Sequence, residues 1–516
     1  MLTRSSRTLP AVFALALLAS GCRFDSNGGS SAMPGTPARG TLLTSPPEKL
    51  ASYNSSDLFS LLGADALGKE LLSLTYNPAC SIDVYQIQYE TVGGQGEAAS
   101  ASGALMVPTG SDASCQGKRP IVLYSHGTTA ARDFNIANLP ASGNSEGLVL
   151  AAIFAAQGYI VVAPNYAGYD TSSLSYHPYL DADQQSKDMI DALTAARSAL
   201  PVATAPSVTG NGKVLVTGYS QGGYVAMATQ RAMQAAGTPA TAAAPMSGPY
   251  ALSAFGDAIF MGEVTASAPL NLALLITSYQ HAYGNVYTQT TDVFASPYAT
   301  GIDTLLPSTS STSDLYTQGR LPQNELFSST PPTPGYASMT PATMPANLAT
   351  IFAKGFGTSF LVTNSFRLNY LTDAAASPDG GFPNYTSGTP PAAPAFGLRQ
   401  DLKTNDLRNW TPAAPVLLCG GNSDPTVLFL NTLLIQRYWA GVAPSAPVTV
   451  LDVDDGGGGP YSDLKTAFAA AKALDAAAAV ASGASDGGTD AVLQAYHAGL
   501  VPPFCLSAVK RFFDSM

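Results

Sequence analysis

The chain has 516 residues, 46% of them hydrophobic and only 11% charged, so it can build a large core and is not a charge-rich disordered protein. Lys and Arg total 24 against 35 Asp and Glu, a formal charge of −11, which leaves no basic surface to track phosphates and argues against nucleic acid as a partner. By length there is room for about three domains, or for one large domain carrying an insertion.

Arg4 and Arg7, the apolar stretch from Ala11 to Leu18 and the small residues Ala19-Ser20-Gly21 read as a signal peptide over residues 1–21. No later segment is expected to reach the roughly 18 uninterrupted apolar residues of a spanning helix. Leu18-Ala19-Ser20-Gly21-Cys22 resembles a bacterial lipobox. That resemblance implies cleavage before Cys22, acylation of its thiol, and an exported lipoprotein at the outer membrane or cell surface of a Gram-negative bacterium, otherwise periplasmic or secreted. The alternative is an ordinary secretory signal followed by a chance cysteine. Residues 22–50 are rich in Gly, Ser and Pro, bury little apolar area and read as a flexible tether. Cys80, Cys115, Cys419 and Cys505 make an even set in an exported chain, which suggests two disulfides with three possible connectivities. Cys80 with Cys115 and Cys419 with Cys505 is the expected pairing, since each pair would staple neighbouring parts of one fold. None has the spacing of a zinc site.

From about residue 80 the pattern is strand-like. Tyr85, Ile87 and Tyr89 alternate with polar residues, and Gly103 to Val107 repeats the pattern after a Gly-rich turn, which predicts an antiparallel start. Strands then alternate with helices: Ile121 to Tyr124, a helix from Glu146 to Gln157, Tyr159 to Ala163, a helix from Asp183 to Leu200 stopped by Pro201, Val214 to Thr217, and a helix from Gln221 to Ala236. Such alternation implies parallel strands joined by helical crossovers. It resumes with Val416 to Cys419, Val448 to Val453, an Ala-rich helix near Ser462 to Ala481 and a last helix near Leu506 to Phe513. Between them the rhythm is lost for about 160 residues, too long for a loop. The expected organisation is therefore a core over 51–250 and 412–516 with an inserted, mainly helical cap over 251–411.

Gly218-Tyr219-Ser220-Gln221-Gly222 lies between a strand and a helix, the setting that gives Gly-x-Ser-x-Gly its meaning. The turn is tight enough to demand minimal side chains two positions either side of the serine, and it presents the hydroxyl at the strand's end. Serine needs a base, and only four histidines are available. His126, His177 and His281 lie on early loops or in the insert; His497 follows the late strands, where the order nucleophile, acid, base puts it. Asp424, in the Gly-flanked turn after Val416 to Cys419, is the expected acid, with Asp452, Asp454 and Asp455 as competitors. Oxyanion donors should be the backbone N–H of Gln221 and that of Thr128, slightly favoured over Gly127. The Asp452–Asp455 run superficially resembles a calcium loop but lacks its spacing and helices. The Tyr-rich stretch from 166 to 179 could line an acyl pocket or simply pack.

These motifs, with Ser125-His126-Gly127 and Ala163-Pro164-Asn165-Tyr166-Ala167-Gly168-Tyr169, resemble the α/β-hydrolase superfamily. The inserted stretch and the late cysteine are similar, more narrowly, to secreted fungal and bacterial lipases with a helical cap. The resemblance implies an α/β fold with a mostly parallel sheet, and carboxylic ester hydrolysis through an acyl-enzyme. It implies no metal, no organic cofactor and no partner protein, the substrate being a small-molecule or lipid ester. The alternatives are a peptidase or acyltransferase on the same triad, and a non-catalytic binding lipoprotein. A peptidase of this kind would be expected to carry a large extra N-terminal domain.

Overall fold

The computed structural model describes residues 38–516 apart from 75–77, 142–143 and 205–206, so the signal peptide, Cys22 and most of the tether lie outside the described residues. Nine strands form one sheet: β1 (Glu48–Tyr53), β2 (Ser81–Val92), β3 (Ala98–Thr109), β4 (Gly117–Ser125), β5 (Ile160–Pro164), β6 (Val208–Tyr219), β7 (Ala242–Met246), β8 (Val416–Gly420) and β9 (Val448–Asp452). Their order is β1-β2-β3-β5-β4-β6-β7-β8-β9. The β1–β2, β2–β3 and β3–β5 pairs are antiparallel and all later pairs parallel. The central strands are short, apolar and buried throughout, such as Ile160-Val161-Val162-Ala163 in β5, because helices cover both faces.

Those helices are α1 (Ser55–Ala64), α2 (Ala66–Ser73), α3 (Ser145–Ile153), α4 (Ala182–Thr204), α5 (Gln221–Ala235), α6 (Leu252–Phe260), α7 (Ala268–Tyr283), α8 (Asn364–Ala376), α9 (Gly397–Thr404), α10 (Leu430–Val442), α11 (Ser462–Ala481), α12 (Thr489–Ala495) and α13 (Val501–Asp514). On one face, Met189 of α4 and Val225 of α5 pack against Val162 and Val216. On the other, Leu148 of α3, Phe468 of α11 and Phe504 of α13 meet Val161 and Leu417. The first of these apolar clusters runs on without a break into the inserted stretch, through Phe260, Leu272, Tyr370 and Leu402. The insert thus shares the core of the sheet. Half of its six cations are buried, Arg367 among them: Arg399 bonds Asp257 and Asp373 at 2.9 and 2.7 Å, and Arg408 bonds Asp379 and Asp406 at 2.6 and 2.8 Å.

Two expectations change. The tether does not extend to residue 50: Gly40 donates to the Glu90 carbonyl, Leu43 to that of Gln88, and β1 pairs with β2. The open backbone edge of β2 supplies partners to a segment whose composition shows no strand pattern. Pro201 does not stop its helix but sits inside the last turn of α4, where one N–H is lost. The run Thr489–Asp514 is 26 residues long and apolar enough by length and composition to cross a membrane, yet 61% of its apolar window is buried within the protein. Disulfides join Cys80 to Cys115 and Cys419 to Cys505.

Candidate active site

Register brings the C-terminal ends of β4, β6, β7 and β8 into line: Ser125 faces Gly218, Tyr219 faces Met246, and Met246 faces Cys419. Ser220 follows directly, with φ 60° and ψ −122°, a region L-residues rarely occupy. Its N–H donates to the Met246 carbonyl at 3.0 Å. The flanking glycines are obligatory on steric grounds. A Cβ at 218 would lie 2.3 Å from the Ser125 hydroxyl oxygen, and one at 222 only 1.9 Å from the Ser125 carbonyl oxygen. The Ser220 side chain stays partly exposed at the head of α5.

Three of the side chains singled out by sequence meet here. His497 Nε2 lies 2.8 Å from Ser220 Oγ, and its Nδ1 lies 2.6 Å from Asp424 Oδ2. An ionised carboxylate accepts only, so Nδ1–H donates to Asp424 and Nε2 is left to accept from the serine hydroxyl. Asp424 is 1% exposed, and its other oxygen accepts from the Thr426 and Val427 N–H groups at 2.9 and 3.0 Å. His497 sits in a π-helical turn, Tyr496–Leu500, between α12 and α13. Such turns are frequent where a helix must present a functional side chain. Tyr219 donates to the His497 carbonyl at 2.6 Å, and Tyr496 donates to Asp454 at 2.7 Å while accepting from the Ser423 N–H at 3.2 Å. The competing acids are engaged elsewhere: Asp452 with Asn422, Asp454 with Lys472 and Tyr496, Asp455 with Lys465.

The other histidines do not reach Ser220. His126 stacks on Tyr166 with ring centres 4.1 Å apart, and burial pulls its pKa down to about 4. His177 donates to the Ala167 carbonyl at 2.9 Å and accepts from the Gln221 side chain at 2.7 Å; burial pulls it down to about 3. His281 stacks on Tyr176. Both buried rings are therefore neutral and serve to pack and position.

Gln221 heads α5, so its N–H is among the donors that a helix leaves without an internal partner. In the loop after β4, the Gly127 N–H is already taken by both oxygens of Glu146, each at 3.1 Å, which leaves the Thr128 N–H as the neighbouring donor. The Tyr-rich stretch packs on this loop. Tyr166 donates to the His126 carbonyl at 2.9 Å, Tyr169 to that of Thr129 at 2.6 Å, and the Tyr179 and Thr128 hydroxyls are 2.9 Å apart. Tyr179 also reaches the cavity described next, so the stretch both packs and lines. Glu146, His177 and the individual tyrosines were not singled out as site residues by sequence; a Glu in the first turn of a helix reads as ordinary dipole compensation.

Two spaces open at Ser220. A narrow apolar cavity of about 70 Å³ runs under α6, α7 and α9, lined by Leu252, Ile259, Phe260, Leu272, Leu398 and Leu402. A wider cleft of about 610 Å³ holds His497, Glu146 and Tyr219, with Ser267, Gln323 and Gln494 farther out. Among the described residues no group of three or more His, Cys, Asp or Glu is placed to hold a metal ion.

A model of the prolyl oligopeptidase family matches residues 149–260. Among solved structures, the ligand-bound form of the rice cell wall degrading esterase LipA from Xanthomonas oryzae is 27% identical, over 93% of this chain and 100% of that one, with a TM-score of 0.66. A single-site mutant of that esterase is 30% identical over 84% and 95%, with a TM-score of 0.61. A crystal structure of a Legionella pneumophila protein, 20% identical over 92% and 97% with a TM-score of 0.61, is alike in fold. No curated protein matches the chain.

Proposed function

We propose that this chain, which belongs to the α/β-hydrolase superfamily and is a serine hydrolase, cleaves carboxylic esters of small molecules or lipids, exported and held at the cell surface by a lipid on Cys22. The observation that carries the proposal is the hydrogen-bonded line from Ser220 through His497 to Asp424, at 2.8 and 2.6 Å. In this reading His497 takes the Ser220 proton as Oγ attacks the ester carbonyl, and the N–H groups of Gln221 and Thr128 receive the oxyanion. The imidazolium, steadied by Asp424 without proton transfer to it, then protonates the leaving alcohol. Water deacylates the serine by the same route. The apolar cavity suits an acyl chain and the wider, more polar cleft the alcohol.

The test is hydrolysis of p-nitrophenyl esters by wild type and Ser220→Ala, with circular dichroism to show an unchanged fold. Loss of kcat by about six orders of magnitude is expected; full retention would end the proposal. A peptidase reading is favoured by the family model that matches residues 149–260, a stretch that holds Ser220 and part of the apolar cavity but neither Asp424 nor His497. Turnover of peptide amides with no ester turnover would establish it instead.

A further inference from the structure

Glu146 has no step in the reaction above, yet it lines the same cleft as Ser220 and His497. Its Oε1 accepts from the Tyr124 hydroxyl at 2.5 Å, and both oxygens accept from the Gly127 N–H at 3.1 Å. Gly127 immediately precedes Thr128, and a Cβ built on it would stand 3.9 Å from the Cβ of Ser220. Only the ionised carboxylate accepts on both oxygens. Protonation of Oε2 would aim a donor at the Gly127 N–H, which cannot accept.

The surroundings make this protonation accessible. Among the described residues no cation pairs with Glu146. The groups facing it are Tyr124 of β4, Tyr166 after β5, Tyr219 at the end of β6 and, across the cleft, His497 with Asp424 behind it. Asp65, ahead of α2, accepts from the Gly68 N–H at 2.9 Å and from the hydroxyl of Ser145, next to Glu146, at 2.5 Å. The three tyrosines are held well above their ordinary range by burial, and His126 of the same loop is held low, so all stay neutral near pH 7. Desolvation pushes Glu146 up to about 7 against the pull of its two hydrogen bonds.

We propose that Glu146 is a positioning residue: as a carboxylate it fixes the Gly127 peptide, and through it aims the Thr128 N–H at the developing oxyanion. The inference rests on the ester-hydrolase reading. A donor that acts on the oxyanion acts in the transition state, so the effect falls on kcat and not on KM. The acid limb of the pH–rate profile then carries one proton beyond that of the reaction itself, the one that releases the oxyanion loop.

The experiment is the pH–rate profile of full-length wild type, Glu146→Ala, Glu146→Gln and Ser220→Ala on p-nitrophenyl butyrate. Glu146→Ala is expected to lower kcat at least about tenfold with KM within about twofold. Glu146→Gln sets one acceptor and one donor in place of the carboxylate, as the protonated acid does, but cannot titrate; it is expected to fall short of wild-type kcat at pH 8 and to take one proton from the acid limb. A glutamine profile superimposable on wild type, or an alanine variant with wild-type kcat, would overturn the inference. If the alanine variant does not fold, the glutamine profile decides alone. Turnover surviving in Ser220→Ala would remove the ester-hydrolase reading itself, whereas a silent Ser220→Ala with an unchanged glutamine profile removes only the role of Glu146.

Discussion

At Ser220 the backbone is held in a conformation it would not choose, and the neighbours that hold it leave no room for a side chain at 218 or 222. Adding one methyl at 222 would drive it into the Ser125 carbonyl, which is backbone and cannot step aside. Gly222→Ala is therefore expected to cost on the order of 3 kcal/mol, measured by urea unfolding; a loss within error would show that the turn can relax. This demand for small residues at fixed offsets is what makes Ser220 readable in sequence as the candidate nucleophile. His497 was reachable because only four histidines exist and chain order selects among them. Glu146, His177 and Tyr179 were not, because their roles arise from partners 19, 44 and 51 residues away, and no local pattern encodes such meetings.

Among elements, the loop bearing Asp424 and the turn bearing His497 are tied together. The disulfide joins Cys419 in β8 to Cys505 in α13, closing a span of 86 residues that contains both side chains. The Cys80–Cys115 bond spans 35 residues at the other end of the sheet, away from this pair. Replacing Cys419 and Cys505 by serine is expected to cost about 2–5 kcal/mol and to lower kcat as well. Replacing Cys80 and Cys115 should lower stability alone. Equal kcat in both double variants, by ester turnover below the unfolding temperature, would contradict this division. The alternating strands and helices of the core were legible because parallel strands buried on both faces must be short apolar runs. The insert was legible only as a break in that rhythm. Its short helices are pinned by buried pairs such as Arg399–Asp257, 142 residues apart, and by continuity with the core cluster. Neither has a periodicity to read.

Over the whole molecule, burial has raised several carboxyl groups. Glu146, Asp188, Glu263 and Asp401 are each pushed up to about 7, with desolvation the largest cause. In the unfolded chain such groups titrate near 4, so between about pH 4 and 7 the folded protein holds protons that unfolding releases. Their stabilisation is fully present below about pH 4 and is lost as pH rises through 7. His126 and His177 work in the opposite direction, but only below about 6.5, where unfolded imidazoles begin to charge. Tm is accordingly expected to be higher at pH 6.5 than at pH 8.0 by scanning calorimetry, and a lower value at 6.5 would refute this balance. At this scale the mostly parallel sheet with its antiparallel start could be read from the chain, while the docking of residues 40–53 on the edge of β2 could not, since backbone pairing leaves no mark on composition. The central claim is chemical: a serine at the end of β6 forms an acyl-enzyme. Its most direct measurement is turnover of p-nitrophenyl esters from acetate to palmitate by wild type beside Ser220→Ala. The account predicts turnover in the first and none above background in the second; equal turnover in both would contradict it.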